Sequence, residues 1–159
     1  MTKPFRKQLG SVVGSQTGAS RLVSVTYSTI TLTKAKHDGK VIVLNRAAGI
    51  AVTLPAATGS GCMFKIVVGT TVTSNTTTIK VVGNDIMQGS CIQGADGGNT
   101  VVSYDTASDS DTITLDGSTT GGLIGEWIEL IDMKADTWMV HMMQNATGSE
   151  ATPFSATVS

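Results

Sequence analysis

Two histidines, two cysteines and 12 carboxylates are the side chains of this sequence that could do chemistry, and their spacing limits what that chemistry could be. Acyl transfer needs a nucleophile, a base and an orienting acid brought together. His37 stands beside Asp38 in a stretch that reads as a turn, His37-Asp38-Gly39-Lys40, and His141 stands in the apolar run TWMVHMM. Neither falls in a nucleophile motif, and no G-x-S-x-G occurs, so a structural role is expected of both. Glycoside cleavage needs paired carboxylates at a set separation. The close glutamates Glu126 and Glu129 are three residues apart, which on a strand sends them to opposite faces.

Metal and cofactor chemistry fare no better. Asp105, Asp109, Asp111 and Asp116 could offer oxygens to a hard cation, but their spacing is not that of an EF-hand loop and no bidentate Glu closes it. Aspartate is mostly an exposed residue, so a solvated acidic loop is the expectation. No CxxC or HxxxH spacing suggests zinc. The Gly-rich stretch Gly94–Asn99 has no Walker lysine and no following helix to cradle phosphate. Cys62 and Cys91 are too few for a disulfide framework and read as free, buried thiols of a chain assembled in a reducing cytoplasm. No cofactor is expected.

Charge is distributed very unevenly. Lys3, Arg6, Lys7, Arg21, Lys34 and Lys36 all precede the first carboxylate, Asp38, leaving +6 on residues 1–37 and −7 on residues 38–159 behind a formal net charge of −1. Residues 1–24 lack a sustained period, are punctuated by Gly10, Gly14 and Gly18, and carry the apolar residues Phe5, Leu9, Val12 and Val13. This segment reads as an extended N-terminal arm, with Lys3, Phe5, Arg6, Lys7, Leu9 and Arg21 as the residues that would grip a partner. Lys34 and Lys36 belong with the first strands and turn of the body, so the arm proper holds four positive charges. Its charge density is modest, aromatic stacking residues are scarce in it, and the acidic body would be repelled by a duplex. An acidic protein surface is therefore the expected partner, and nucleic acid is not. No apolar segment follows the basic residues as a secretion signal would require, and none approaches the roughly 20 residues of a membrane helix, so no membrane partner is expected.

The body that must position these groups is β-rich. Thr, Val and Gly are abundant, charged residues make up 14% and aromatics 4%, and long runs of helix formers are missing. Short alternating stretches recur with a turn about every ten residues. Lys40–Asn45, Ile50–Leu54, Ile79–Val82, Val101–Tyr104 and Thr112–Leu115 read as strands, and Cys62–Val68 as a central one. Ile86–Ile92 fits a short strand or a loop. Trp127–Ile131, a turn over Asp132–Asp136 and Thr137–Met143 read as a closing hairpin. The pattern predicts an all-β domain, a β-sandwich or jelly-roll-like body over residues 25–145, with a C-terminal tail over 146–159 and no strict internal repeat. Met133, Met139, Met142 and Met143 crowd the hairpin with Trp127 and Trp138. Because TWMVHMM does not alternate cleanly, two readings stay open: a central strand covered on both sides, or a face that packs against copies of the chain.

The series KVIVLNRAAGIAVTLPAATGSGCMFKIVV, then TIKVVGNDIMQGS, then DTITLDGSTTGGLIGEWIELIDMKADTWMVH, resembles β-rich structural modules of tailed bacteriophages. Such modules occur in capsid decoration (cement) proteins and in tail-fibre or tail-spike proteins. The resemblance covers about residues 34–143 and is one of strand phrases, not of catalytic residues. It implies an all-β virion protein, usually a homotrimer, that binds the outer capsid surface or forms part of a fibre. A short arm on one β domain suits a decoration protein that stabilises the capsid exterior, with the major capsid protein and its own copies as partners. The alternative is a tail-fibre or receptor-binding module that recognises a host surface glycan through loops such as Thr70–Thr77 and Asp105–Asp111.

Overall fold

The computed structural model describes residues 20–97 and 99–158. Twelve strands and one helical turn follow in the order β1 (Leu22–Val25), β2 (Thr29–Thr31), α1 (Lys34–His37), β3 (Lys40–Leu44), β4 (Ala51–Thr53), β5 (Met63–Val68), β6 (Thr77–Lys80), β7 (Ile86–Gly94), β8 (Val101–Asp105), β9 (Thr112–Leu115), β10 (Trp127–Lys134), β11 (Thr137–Asn145) and β12 (Phe154–Ser155). They form a seven-stranded sheet, β1-β3-β5-β10-β11-β7-β8, packed on a five-stranded sheet, β12-β9-β6-β4-β2. The chain is an all-β sandwich, as its composition requires. No helix of the described residues is long and apolar enough to cross a membrane.

Both sheets are mixed. From β1 to β6 the chain passes from one sheet to the other at every strand, so β1, β3 and β5 run parallel in the larger sheet and β2, β4 and β6 run parallel in the smaller. Parallel neighbours cannot be joined by a tight turn; here each crossover is a strand of the opposite sheet. Successive turns of this winding differ in length: Leu22 pairs with Val41, 19 residues on, and Val41 with Lys65, 24 residues on. The winding therefore leaves no fixed repeat in the sequence.

The β10–β11 hairpin then inserts between β5 and β7, antiparallel to the first and with β11 parallel to the second. β10 continues through Asp132 to Lys134, further than the sequence pattern placed it. A register shift between Asp132 and Lys134 bulges the strand, and the reversal falls at Asp136, whose φ is 59°. β7 is a full nine-residue strand beside β11. Gly89 makes this approach possible: a Cβ there would lie 1.8 Å from the Val140 carbonyl oxygen.

The core lies between the sheets. Ile42, Phe64, Ile66, Leu130, Trp138 and Val140 face Ile30, Val52, Ile79 and Ile113 in one buried cluster. The C-terminal tail is tied to this body. Phe154 is buried, β12 pairs with β9, and the Thr157 and Val158 N–H groups both donate to Asp111 at 2.8 Å.

Candidate interaction surface

Residues directly opposite one another across a sheet share a face, so the register gives the outer face of the seven-stranded sheet row by row. One row runs Val43, Val67, Trp127, Met143, Ile92 across β3, β5, β10, β11 and β7. A second, on one side of it, runs Leu22, Val41, Lys65, Glu129, His141, Ser90, Asp105. A third holds Met63, Ile131 and Met139. The alternation that should put polar residues outward on a solvated sheet fails along the first row, which is apolar over five adjacent strands. Leu22 is 54% exposed and Met143 52%, with Met63, Met133 and Ile92 also exposed. Contiguous apolar surface of this kind marks a site of association.

Trp127 sits at the centre. The Lys65 ammonium lies 4.9 Å from its ring centroid, and the His141 imidazole meets it edge-on at 6.1 Å. Lys65 and Glu129 are direct cross-strand neighbours, yet no ion pair joins them. A hollow of about 160 Å³ opens beside them, lined by Gly39, Lys40, Val41, Met63, Lys65 and Glu129. The face thus combines a large aromatic side chain and flexible methionines, which interfaces favour, with a lysine and a carboxylate, which they bury only when a partner pairs them.

The buried carboxylates are occupied structurally. Asp132, fully buried at the end of β10, accepts from the Thr58, Gly59 and Ser60 N–H groups, from the Thr58 and Ser60 hydroxyls, and from Lys34 Nζ at 2.6 Å. Burial alone would raise its pKa; Lys34 and the Ser60 donors outweigh it and hold the carboxyl well below the usual range. Glu126 accepts from the Gly122 and Asn145 N–H groups, but burial dominates and raises its pKa. Asp111 ties down the C-terminal tail, and Asp116 accepts from the Ser118 and Thr120 N–H groups of its own turn. The expectation of a solvated acidic loop holds for the exposed Asp105 and Asp109 and fails for buried Asp111. That difference follows from the backbone donors of the tail, which need an acceptor where they dock.

The other candidate groups are dispersed. Glu126 points inward and Glu129 outward. His37 Nδ1 accepts from the Thr33 N–H at 2.9 Å, closing the start of α1. Cys62 and Cys91 are free and buried. Burial, reinforced by Asp38 at Cys62 and by Glu126 at Cys91, pushes both thiols up to about 12, where the reactive thiolate is scarce. Among the described residues no group of three or more His, Cys, Asp or Glu could hold a metal ion. Of the arm residues, Lys3, Phe5, Arg6, Lys7 and Leu9 lie outside the described residues. Arg21 is exposed immediately before β1, and its carbonyl accepts from the Val41 N–H at 2.8 Å.

Sequence reading found the part of the face that lies on the hairpin, namely Trp127, Met139 and Met143. It missed Leu22, Val41, Val43, Val67 and Ile92, because parallel pairing through crossovers brings them there from distant parts of the chain. The uninterrupted apolar run Val41–Leu44 was the available signal, since strands covered on both faces read in that way.

A scan against protein-family models found no match, and comparisons with curated proteins and with solved structures found none either.

Proposed function

We propose that this is a non-enzymatic structural protein of a tailed-phage virion, a decoration (cement) protein that binds the outer capsid surface and stabilises it as a homo-oligomer. The observation that carries the reading is the apolar outer face of the seven-stranded sheet, a surface built for association, on a sandwich whose buried carboxylates serve as hydrogen-bond acceptors within the fold. The resemblance of its strand phrases to those of phage decoration modules and the polarised charge of the chain support it. In this reading Lys3, Arg6, Lys7 and Arg21 pair with carboxylates of the major capsid protein, and Phe5 and Leu9 fill apolar grooves on it. Several arms on one oligomer raise the effective concentration of each, so weak contacts sum to tight attachment.

Deletion of residues 2–21 tests the role of the arm. Co-sedimentation with empty capsids is expected to fall by at least about tenfold in affinity once the arms are gone, while the oligomer itself survives. Binding at full occupancy without the arm would contradict it. Copy number per virion separates decoration from a fibre or receptor-binding role: enough copies to cover the lattice fit the first, and a handful fit the second.

A further inference from the structure

We infer that copies of this chain meet through the outer face of the seven-stranded sheet, with the basic half of one face packed onto the acidic half of the next. The two halves divide between β5 and β10. The β1-β3-β5 half carries Lys65 among Leu22, Val41, Val43 and Val67, with Lys40 at the hollow beside it. The other half carries Glu129 and Asp105 with Trp127, Met143 and Ile92. Laying the first half on the second sets apolar row on apolar row. Lys65 then approaches the neighbour's Glu129, and Val67 and Val43 approach its Trp127 and Met143. A foreign partner would have to reproduce both halves in this order; a second copy already does.

The unpaired state of Lys65 and Glu129 within one chain favours the same occupant. Register places them opposite each other, a position in which opposite charges commonly pair. Lys65 instead lies over the Trp127 ring. Both charges are left between the two apolar rows of the face, where contact with a neighbour would desolvate them together. Because β5 and β10 are adjacent, the same approach lays the acidic half of the first copy on the basic half of the second, so the contact is reciprocal and closes with two-fold symmetry.

This inference names the partner for the surface on which the proposed function rests, and it stands or falls separately from capsid attachment. The full-length chain, Lys65→Glu, Glu129→Lys and an exposed control, Lys134→Glu, are compared by sedimentation velocity, with circular dichroism confirming that each is folded. The wild type and the control are expected to sediment as one oligomer. Each single reversal is expected to weaken association by at least about tenfold, because it opposes like charges across the contact. Mixing the two reversed variants is expected to restore association, since the carboxylate introduced in one then meets the ammonium introduced in the other. The mixture separates contact between chains from pairing within one, which mixing cannot repair. A monomeric wild type, single reversals of unchanged mass, or a mixture no better than its components would each overturn the inference. A wild-type monomer that still coats capsids would do so while leaving the decoration role standing. An oligomer that forms through this face and ignores capsids would support the inference and contradict that role.

Discussion

Asp132→Asn is expected to lower stability by about 3–5 kcal/mol, the range seen when one member of a buried charge pair is removed. The substitution is nearly isosteric, so the loss is one of chemistry and not of volume. Both carboxylate oxygens face donors: Oδ1 takes the Thr58 and Gly59 N–H groups, and Oδ2 takes the Ser60 N–H, two hydroxyls and the Lys34 ammonium. An amide must turn its NH2 toward one of these sets, and Lys34 loses its counter-charge. The 58–60 loop and α1 are both fastened to β10 through this one side chain, so both should loosen. For a chain of this size the melting temperature should fall by roughly 10 °C. The pH dependence carries a definite sign. The folded-state pKa of Asp132 lies below its unfolded value, so its stabilisation is present above about pH 4 and is lost as pH falls through the depressed pKa. Urea denaturation of both proteins at pH 7 and at pH 3 checks this: the gap between them should be wide at pH 7 and narrower at pH 3. Equal stability at pH 7 would contradict the role given to Asp132.

Trp138→Ala is expected to cost a similar amount, about 3–5 kcal/mol, for a different reason. Trp138 is fully buried on the inner face of β11, stacks on Phe64 with ring centroids 5.5 Å apart, and donates its indole N–H to the Pro55 carbonyl at 3.2 Å. Truncation removes the largest fully buried side chain between the sheets and leaves that carbonyl without its donor. Trp138→Phe separates the two contributions, because it keeps most of the volume and should forfeit only about 1–3 kcal/mol. Thermal unfolding followed by circular dichroism reads both variants. A loss below about 1 kcal/mol for the alanine variant would mean that the core closes around the gap, contrary to close packing. Trp127→Ala offers the contrast. On the outer face it should change the stability of an isolated subunit little and its association much.

Much of the architecture was legible in the chain because its causes are local. Alternation and turn residues marked most of the strands, the run Cys62–Val68 marked a central one, and TWMVHMM marked the closing hairpin. Lys34 and Lys36 also belong to the body, where Lys34 meets Asp132. What stayed hidden depends on partners far along the chain. Asp132 reads as the start of a turn, since an aspartate near Lys134 and Asp136 looks exposed; a bulge and a set of loop donors make it an interior residue. β7 carries Gly89, Ser90 and Gln93 and has little strand signature of its own, but β11 and β8 supply its pairing. Phe154, in a polar stretch after Pro153, is buried because β9 offers it an edge. The interaction surface was half visible for the same reason. Its methionines and Trp127 are neighbours in sequence, whereas the aliphatic side chains that complete it arrive through parallel winding.

These features describe a protein whose conspicuous surface is apolar, bears both charges at its centre and belongs to the larger of its two sheets. The account depends above all on that surface being covered when the protein works. The most direct measurement is the solution mass of the intact chain by sedimentation equilibrium at micromolar concentration. A single species at a small whole-number multiple of 16.4 kDa, two for the reciprocal contact, is the result predicted here, together with a Trp127→Glu variant at the mass of one chain. A wild-type protein that remains at 16.4 kDa throughout, indistinguishable from that variant, would contradict it.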